Sequence, residues 1–294
     1  MKTTSPRFVF LIAFATIAFA TRGLGQSTLL VTRTVEFVQN GATSGDVVAA
    51  SATPYHFTAA VEGTNSITPT VYLPDGTTHY DLSASGNNMI YTSANYSTLG
   101  ALTADYPDSA LPPGTPSYTI SNLGAHPNVA IGLSDASASA VNTPFLTLTG
   151  GTWIGSVYYF NPADTVTVSF NAISGASSDN FHYEAEVNGP DLDGNDVNDF
   201  VSATDTPPPF TLQSFGTLVA GNSYSIQVNF DDIQFLNPDA FGDSSNVLAA
   251  GLFERRLTVN LTAIPEPLTS AATLGSVALT GVILRRWRRK ASVG

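Results

Sequence analysis

The densest array of potential metal-binding oxygens in the chain is Asp191-Leu192-Asp193-Gly194-Asn195-Asp196-Val197-Asn198-Asp199. Calcium takes six to eight oxygen ligands, and side-chain oxygens at alternate loop positions can supply them. Asp191, Asp193 and Asn195 match the first, third and fifth places of an EF-type loop. The sixth place, where the turn glycine belongs, holds Asp196, and the twelfth holds Ser202 instead of a bidentate glutamate. An EF-hand is therefore excluded. What remains is a looser candidate calcium loop through Asp191, Asp193, Asn195 and Asp199, set against the plainer reading of an acidic, solvated turn. No other cofactor is expected.

Other constellations are weaker. Glu184 and Glu186 lie two apart in a strand-like run and so share a face. A glycosidase pair must flank the scissile bond at about 5 Å or more, usually from different strands. Two carboxylates on one strand face read more naturally as surface. His56, His79, His126 and His182 are scattered and form no His-x-His or His-Glu-x-x-His pattern. There is no Gly-x-Ser-x-Gly, and no lysine between residues 26 and 264 for a Ser-Lys dyad. These residues call for no catalytic assignment, and the chain is expected not to be an enzyme.

The elements that would position these residues read as strands throughout. Val31 to Val38, Pro69 to Leu73, Phe145 to Leu148, Thr165 to Phe170, Phe181 to Val187, Tyr224 to Phe230 and Leu257 to Leu261 are short and rich in β-branched and aromatic residues. In Thr165 to Phe170 alternation is strict, which predicts Val166, Val168 and Phe170 on a buried face. Pro74-Asp75-Gly76, Pro112-Pro113-Gly114, Gly150-Gly151 and Pro207-Pro208-Pro209 supply turn chemistry. Ser97 to Tyr106, with Leu99, Leu102 and Tyr106, suits one short helix. The expected class is all-β, an Ig-like β-sandwich. Thr68 to Leu73 resembles Thr143 to Leu148, and Ser117 to Ile120 resembles Ser223 to Ile226. Two β units, 26–140 and 141–264, and one continuous sandwich are both open. Trp153 is expected to plug the core between sheets.

Composition bounds the partners. Residues 26–264 hold three basic residues, Arg33, Arg255 and Arg256, against 22 acidic ones, a net charge of −19 that the whole-chain value of −12 conceals. Such a surface repels nucleic acid and anionic polysaccharide unless divalent cations bridge them. With no cysteine in the chain, neither disulfides nor thiolate chemistry is available, and the core alone must hold the fold. At the N-terminus Lys2 and Arg7 precede the apolar stretch Phe8 to Ala20, with small residues at Ala18, Ala20, Gly23 and Gly25. That is the form of a signal peptide over 1–25.

The C-terminus carries the most specific signal. Pro265-Glu266-Pro267 is followed by an uncharged run, Leu268 to Leu284, and then by Arg285, Arg286, Arg288, Arg289 and Lys290. Seventeen residues make a helix of roughly 25 Å, at the short end of a bilayer span. The basic cluster belongs on the cytoplasmic side, which places residues 26–264 outside. The two prolines keep the tripeptide extended and accessible to a processing enzyme.

This order resembles the PEP-CTERM sorting signal of Gram-negative bacteria, over the thirty residues from 265 to 294. The resemblance implies recognition by exosortase, a membrane-embedded cysteine transpeptidase, with removal of the tail. It implies export through the Sec pathway, anchoring in the inner membrane, then delivery to the cell surface or extracellular matrix. It is silent on what residues 26–264 do. The leading expectation for them is a structural or adhesive role. The alternative is a carbohydrate-binding module acting on matrix polysaccharide, with a platform among Tyr91, Tyr96, Tyr158 and Tyr159; a secreted hydrolase is a distant third.

Overall fold

The computed structural model describes residues 28–63, 67–110, 116–134, 144–171, 181–190, 196–200, 209–237, 240 and 247–264, with the backbone alone for 181, 182 and 196–200. Strands dominate, in mixed and antiparallel sheets, with one short α-helix.

The architecture is organised around β18 (Leu248–Ala263). Along one edge it pairs antiparallel with β17 (Ser223–Asn237), through a register shift between Ile233 and Phe235. Along the other edge it pairs parallel with β1 (Thr28–Gln39) and then with β12 (Val157–Phe160). The sheet continues from β17 through β14 (Phe181–Asn188) to β15 (Asp196–Phe200). On the other side it continues from β1 through β3 (Tyr55–Glu62) and β7 (Asn88–Thr92) to β6 (Ser83–Ser85). β2 (Val47–Ala49) adds to β1, and β11 (Gly151–Ile154) forms a hairpin with β12. A four-stranded sheet runs in the order β5 (His79–Asp81), β4 (Thr70–Tyr72), β8 (Tyr118–Ser121), β9 (Val129–Ile131). A three-stranded sheet contains β10 (Leu146–Thr149), β13 (Thr167–Phe170) and β16 (Phe210–Thr211).

Side-chain alternation explains how two small sheets share one large partner. In β18 the odd-numbered residues point one way. Leu257, Val259, Leu261 and Ala263 join a core with Val166, Val168 and Phe170 of the three-stranded sheet's segment. Ala249 joins a second core with Leu29, Phe57, Val71, Tyr118 and Ile120, under the four-stranded sheet. Both small sheets therefore lie on the same face of the large one. Gly251 sits between the cores, and a Cβ there would overlap the carbonyl oxygen of Gly132, just beyond β9. The opposite face carries a third apolar cluster of Leu30, Ala60, Ile90, Leu248, Ala250 and Leu252. From Leu248 to Leu252, β18 thus meets apolar clusters on both faces.

The helix, α1 (Leu99–Asp105), follows Thr98, whose side-chain oxygen accepts a 3.1 Å hydrogen bond from the Ala101 N–H, an N-cap that satisfies one orphan donor. It buries Leu102 and brings Tyr106 against the second core. Pro107 stops it, since a proline disfavours helix in the residue before it.

Candidate functional site

α1 and the β4–β5 turn enclose a cleft of about 350 Å³. One wall is the turn, where Gly76 takes a positive φ of 72°. The Asp75 carboxylate accepts bonds from the Thr77 and Thr78 backbone N–H groups, each at 2.8 Å, and from the Thr78 hydroxyl at 2.6 Å. These bonds, that of the Thr78 hydroxyl first, hold its carboxyl below the usual aspartate value. The other wall is the last turn of α1, with Ala104 and Asp105. Leu73, Tyr80 and Pro107 complete the lining.

Behind Tyr80 stands a column of rings. Tyr80 stacks on Tyr91 with centroids 4.3 Å apart and planes 14° from parallel. The Tyr91 and Tyr106 hydroxyls lie 2.7 Å apart, and Tyr106 stacks on buried Phe57 at 4.3 Å. The Tyr96 hydroxyl donates to Asp105 Oδ2 at 2.7 Å. Burial first, then the bond to Asp105, push the Tyr96 phenol up to about 12. Burial likewise raises Tyr106. These hydroxyls remain protonated donors at neutral pH, so the cleft offers a flat aromatic surface and two acceptor carboxylates. It can bind a ligand through stacking and hydrogen bonds.

Of the tyrosines expected to form a platform, Tyr91 and Tyr96 contribute to this column, half-buried rather than exposed. Tyr158 is buried in the first core and Tyr159 is half-buried on β12. Sequence reasoning missed Tyr80 and Asp105. The available signal was the Asp105-Tyr106-Pro107 stop at the end of the expected helix. Trp153 packs against the first core from its margin rather than inside it: it is half-buried on edge strand β11, edge-on to Tyr158 at 5.4 Å.

The three arginines of the region cluster mid-sheet. Arg33 and Arg255 point to the small sheets, between the two cores; Arg256 points to the other face. Arg33 is fully buried, donating from Nη1 to Asp108 and from Nη2 to the Tyr106 carbonyl at 2.6 Å. Arg255 lies over the Phe253 ring at 4.9 Å. Arg256 pairs with Glu254 at 2.7 Å and Glu36 at 3.4 Å, and donates to Asn229 Oδ1 at 3.3 Å. Arg256 and Glu36 match charges across the β1–β18 ladder, while Glu254, on the same strand as Arg256, faces the like-charged Asp231 on β17.

Glu184 and Glu186 are not on the surface. β14 lies between β15 and β17, and both residues are buried. Their spacing stays that of neighbours on one strand. The histidines remain dispersed: His56 is buried, with its pKa lowered to about 4 by burial and then by Arg256. His79 and His126 are exposed, and the His182 side chain is outside the description.

Of the candidate calcium ligands, Asp191, Asp193 and Asn195 lie outside the described residues. Asp199 falls on β15, paired with Tyr183, so the acidic run passes into a strand at Asp196. Among the described residues no three His, Asp or Glu side chains could hold a metal together. Pro265, Glu266, Pro267, Arg285, Arg286, Arg288, Arg289 and the expected span lie outside the described residues, as does the expected signal peptide. Among the described residues no helix is long and apolar enough to cross a membrane. No protein-family model matches the chain, and no curated protein matches it either.

Proposed function

We propose that the chain is an exported β-sandwich protein of a Gram-negative cell surface or extracellular matrix, with a structural or adhesive role. Residues 268–284 anchor it in the inner membrane until an exosortase-type enzyme removes the sorting signal. The observation that carries this reading is the order Pro265-Glu266-Pro267, uncharged run, arginine cluster. Support comes from the end of the described body. β18 finishes at Ala263, and the Ile264 N–H bonds to the Phe160 carbonyl at 2.8 Å. The tripeptide therefore follows the last sheet hydrogen bond with no spacer. The arrangement of two small sheets over one face of a large sheet supports a sandwich. In a PEP-CTERM-bearing host, Glu266→Ala, or removal of Arg285, Arg286, Arg288 and Arg289, should retain a longer, membrane-bound form. An unchanged size and location in both variants would sink the proposal.

The second reading is a carbohydrate-binding module. The aromatic-floored cleft between Asp75 and Asp105 favours it, at a size near the small end of ligand pockets. A glycan array run with and without calcium tests it: binding under neither condition removes it.

A further inference from the structure

The cleft carries an unbalanced charge. Asp105 sits at the C-terminal end of α1, where helix carbonyls already concentrate negative potential and a basic residue would be favoured. No basic residue occupies that last turn. Arg33 reaches the helix end from inside, but its bonds go to the Tyr106 carbonyl and to Asp108. The hydrogen-bond partner of Asp105 is the neutral Tyr96 hydroxyl, and those of Asp75 are neutral groups of its own turn. Two exposed carboxylates thus face one cavity without a cation among the described residues. A bare metal fits poorly, because calcium needs six to eight oxygens and no three-residue ligand group is present among the described residues. The lining is also partly organic in character: Tyr80 offers a ring, and Leu73 and Pro107 offer apolar surface. An organic ammonium gains from carboxylates and from an aromatic face together.

We propose that this cleft binds an amino-sugar unit bearing a free primary ammonium, within a partly deacetylated glycan. Asp105 and Asp75 receive the ammonium and neighbouring hydroxyls, and Tyr80 lies against the ring. The inference rests on the carbohydrate-binding reading and narrows it. The charge of the whole region, −19 over residues 26–264, favours a cationic glycan over the anionic ones it repels.

The test is calorimetric titration of the mature chain with a β-1,4-linked glucosamine tetramer, its fully N-acetylated counterpart, and lysine methyl ester. The expected result is saturable binding of the glucosamine tetramer, weakened roughly tenfold or more by acetylation, which corresponds to about 1.4 kcal/mol. Asp105→Asn should weaken it by a similar factor. Asp164→Asn, which makes the same charge change at an exposed site on another turn, should leave it intact. Thermal unfolding of both variants separates loss of binding from loss of fold. Equal binding of the acetylated tetramer overturns the ammonium inference while leaving glycan binding standing. Equal loss in both Asn variants reduces the effect to general charge and overturns the site. Binding of lysine methyl ester as tight as the tetramer overturns the sugar assignment. No binding of any probe overturns both the inference and the carbohydrate reading.

Discussion

Glu62 closes β3 on the face of the large sheet away from the small sheets, and burial pushes its carboxyl from 4.5 up to about 8, with Asp231 adding repulsion. An acid whose folded pKa is raised binds more protons in the native state, so its stabilisation is full below 4.5 and is lost as pH rises through 8. Burial raises Glu254 in the same direction, opposed by Arg256. His56 has the contrary sign: held neutral down to about 4, it costs stability as pH falls below 6.5. The window from pH 6.5 to 8.5 therefore isolates the acids. Chemical denaturation should show stability falling there by about 2 kcal/mol. Glu62→Gln should remove most of that slope, and a parent that is flat or more stable at pH 8.5 contradicts the assignment. Arg33 gives a second measurement at this scale. Arg33→Ala leaves the Tyr106 carbonyl without its buried donor, while Asp108, nearly half exposed, can turn to water, so a loss of about 1–3 kcal/mol is expected. Equilibrium unfolding of the variant reads that loss directly; a change within about 0.5 kcal/mol would show the pair to be incidental.

Among the elements, the contact between β18 and the end of β9 is the tightest constraint. Gly251→Ala must displace the Gly132 backbone, so a loss of about 2 kcal/mol or more is expected from overpacking, read as a lower denaturation midpoint. Thr98→Ala removes the cap of α1 and should cost about 1 kcal/mol, with faster hydrogen exchange confined to residues 99–105. The same elements show what sequence reading reached. β13 was legible because its alternation is strict, and Val166, Val168 and Phe170 are all buried as expected. The short helix was legible from Leu99, Leu102 and Tyr106. β3 was not, since Tyr55–Glu62 is almost wholly buried and shows no alternation. The first half of β18 was hidden by Glu254, Arg255 and Arg256, which look like a surface run and instead match charges inside the sheet. The cleft was half legible: Pro74-Asp75-Gly76 announced a turn, while its approach to Asp105 depends on α1 packing over β3 and the second core, which no local pattern encodes.

At the scale of the whole molecule, the three arginines of residues 26–264 lie on the central strands β1 and β18, and the other eight basic residues lie in the two expected targeting ends. A body of net charge −19 so divided from its basic ends is consistent with export of the body and retention of the tail. Strand β1 near the start of the described residues and β18 near their end are neighbours in parallel, so both ends of the described body meet in one sheet. The proposed sorting has this body delivered and then cut from its tail. The most direct measurement is the intact mass of the mature protein recovered from its producing cells. A chain starting near Gln26 and ending near Pro265 is the predicted result; a chain that still ends at Gly294 contradicts it.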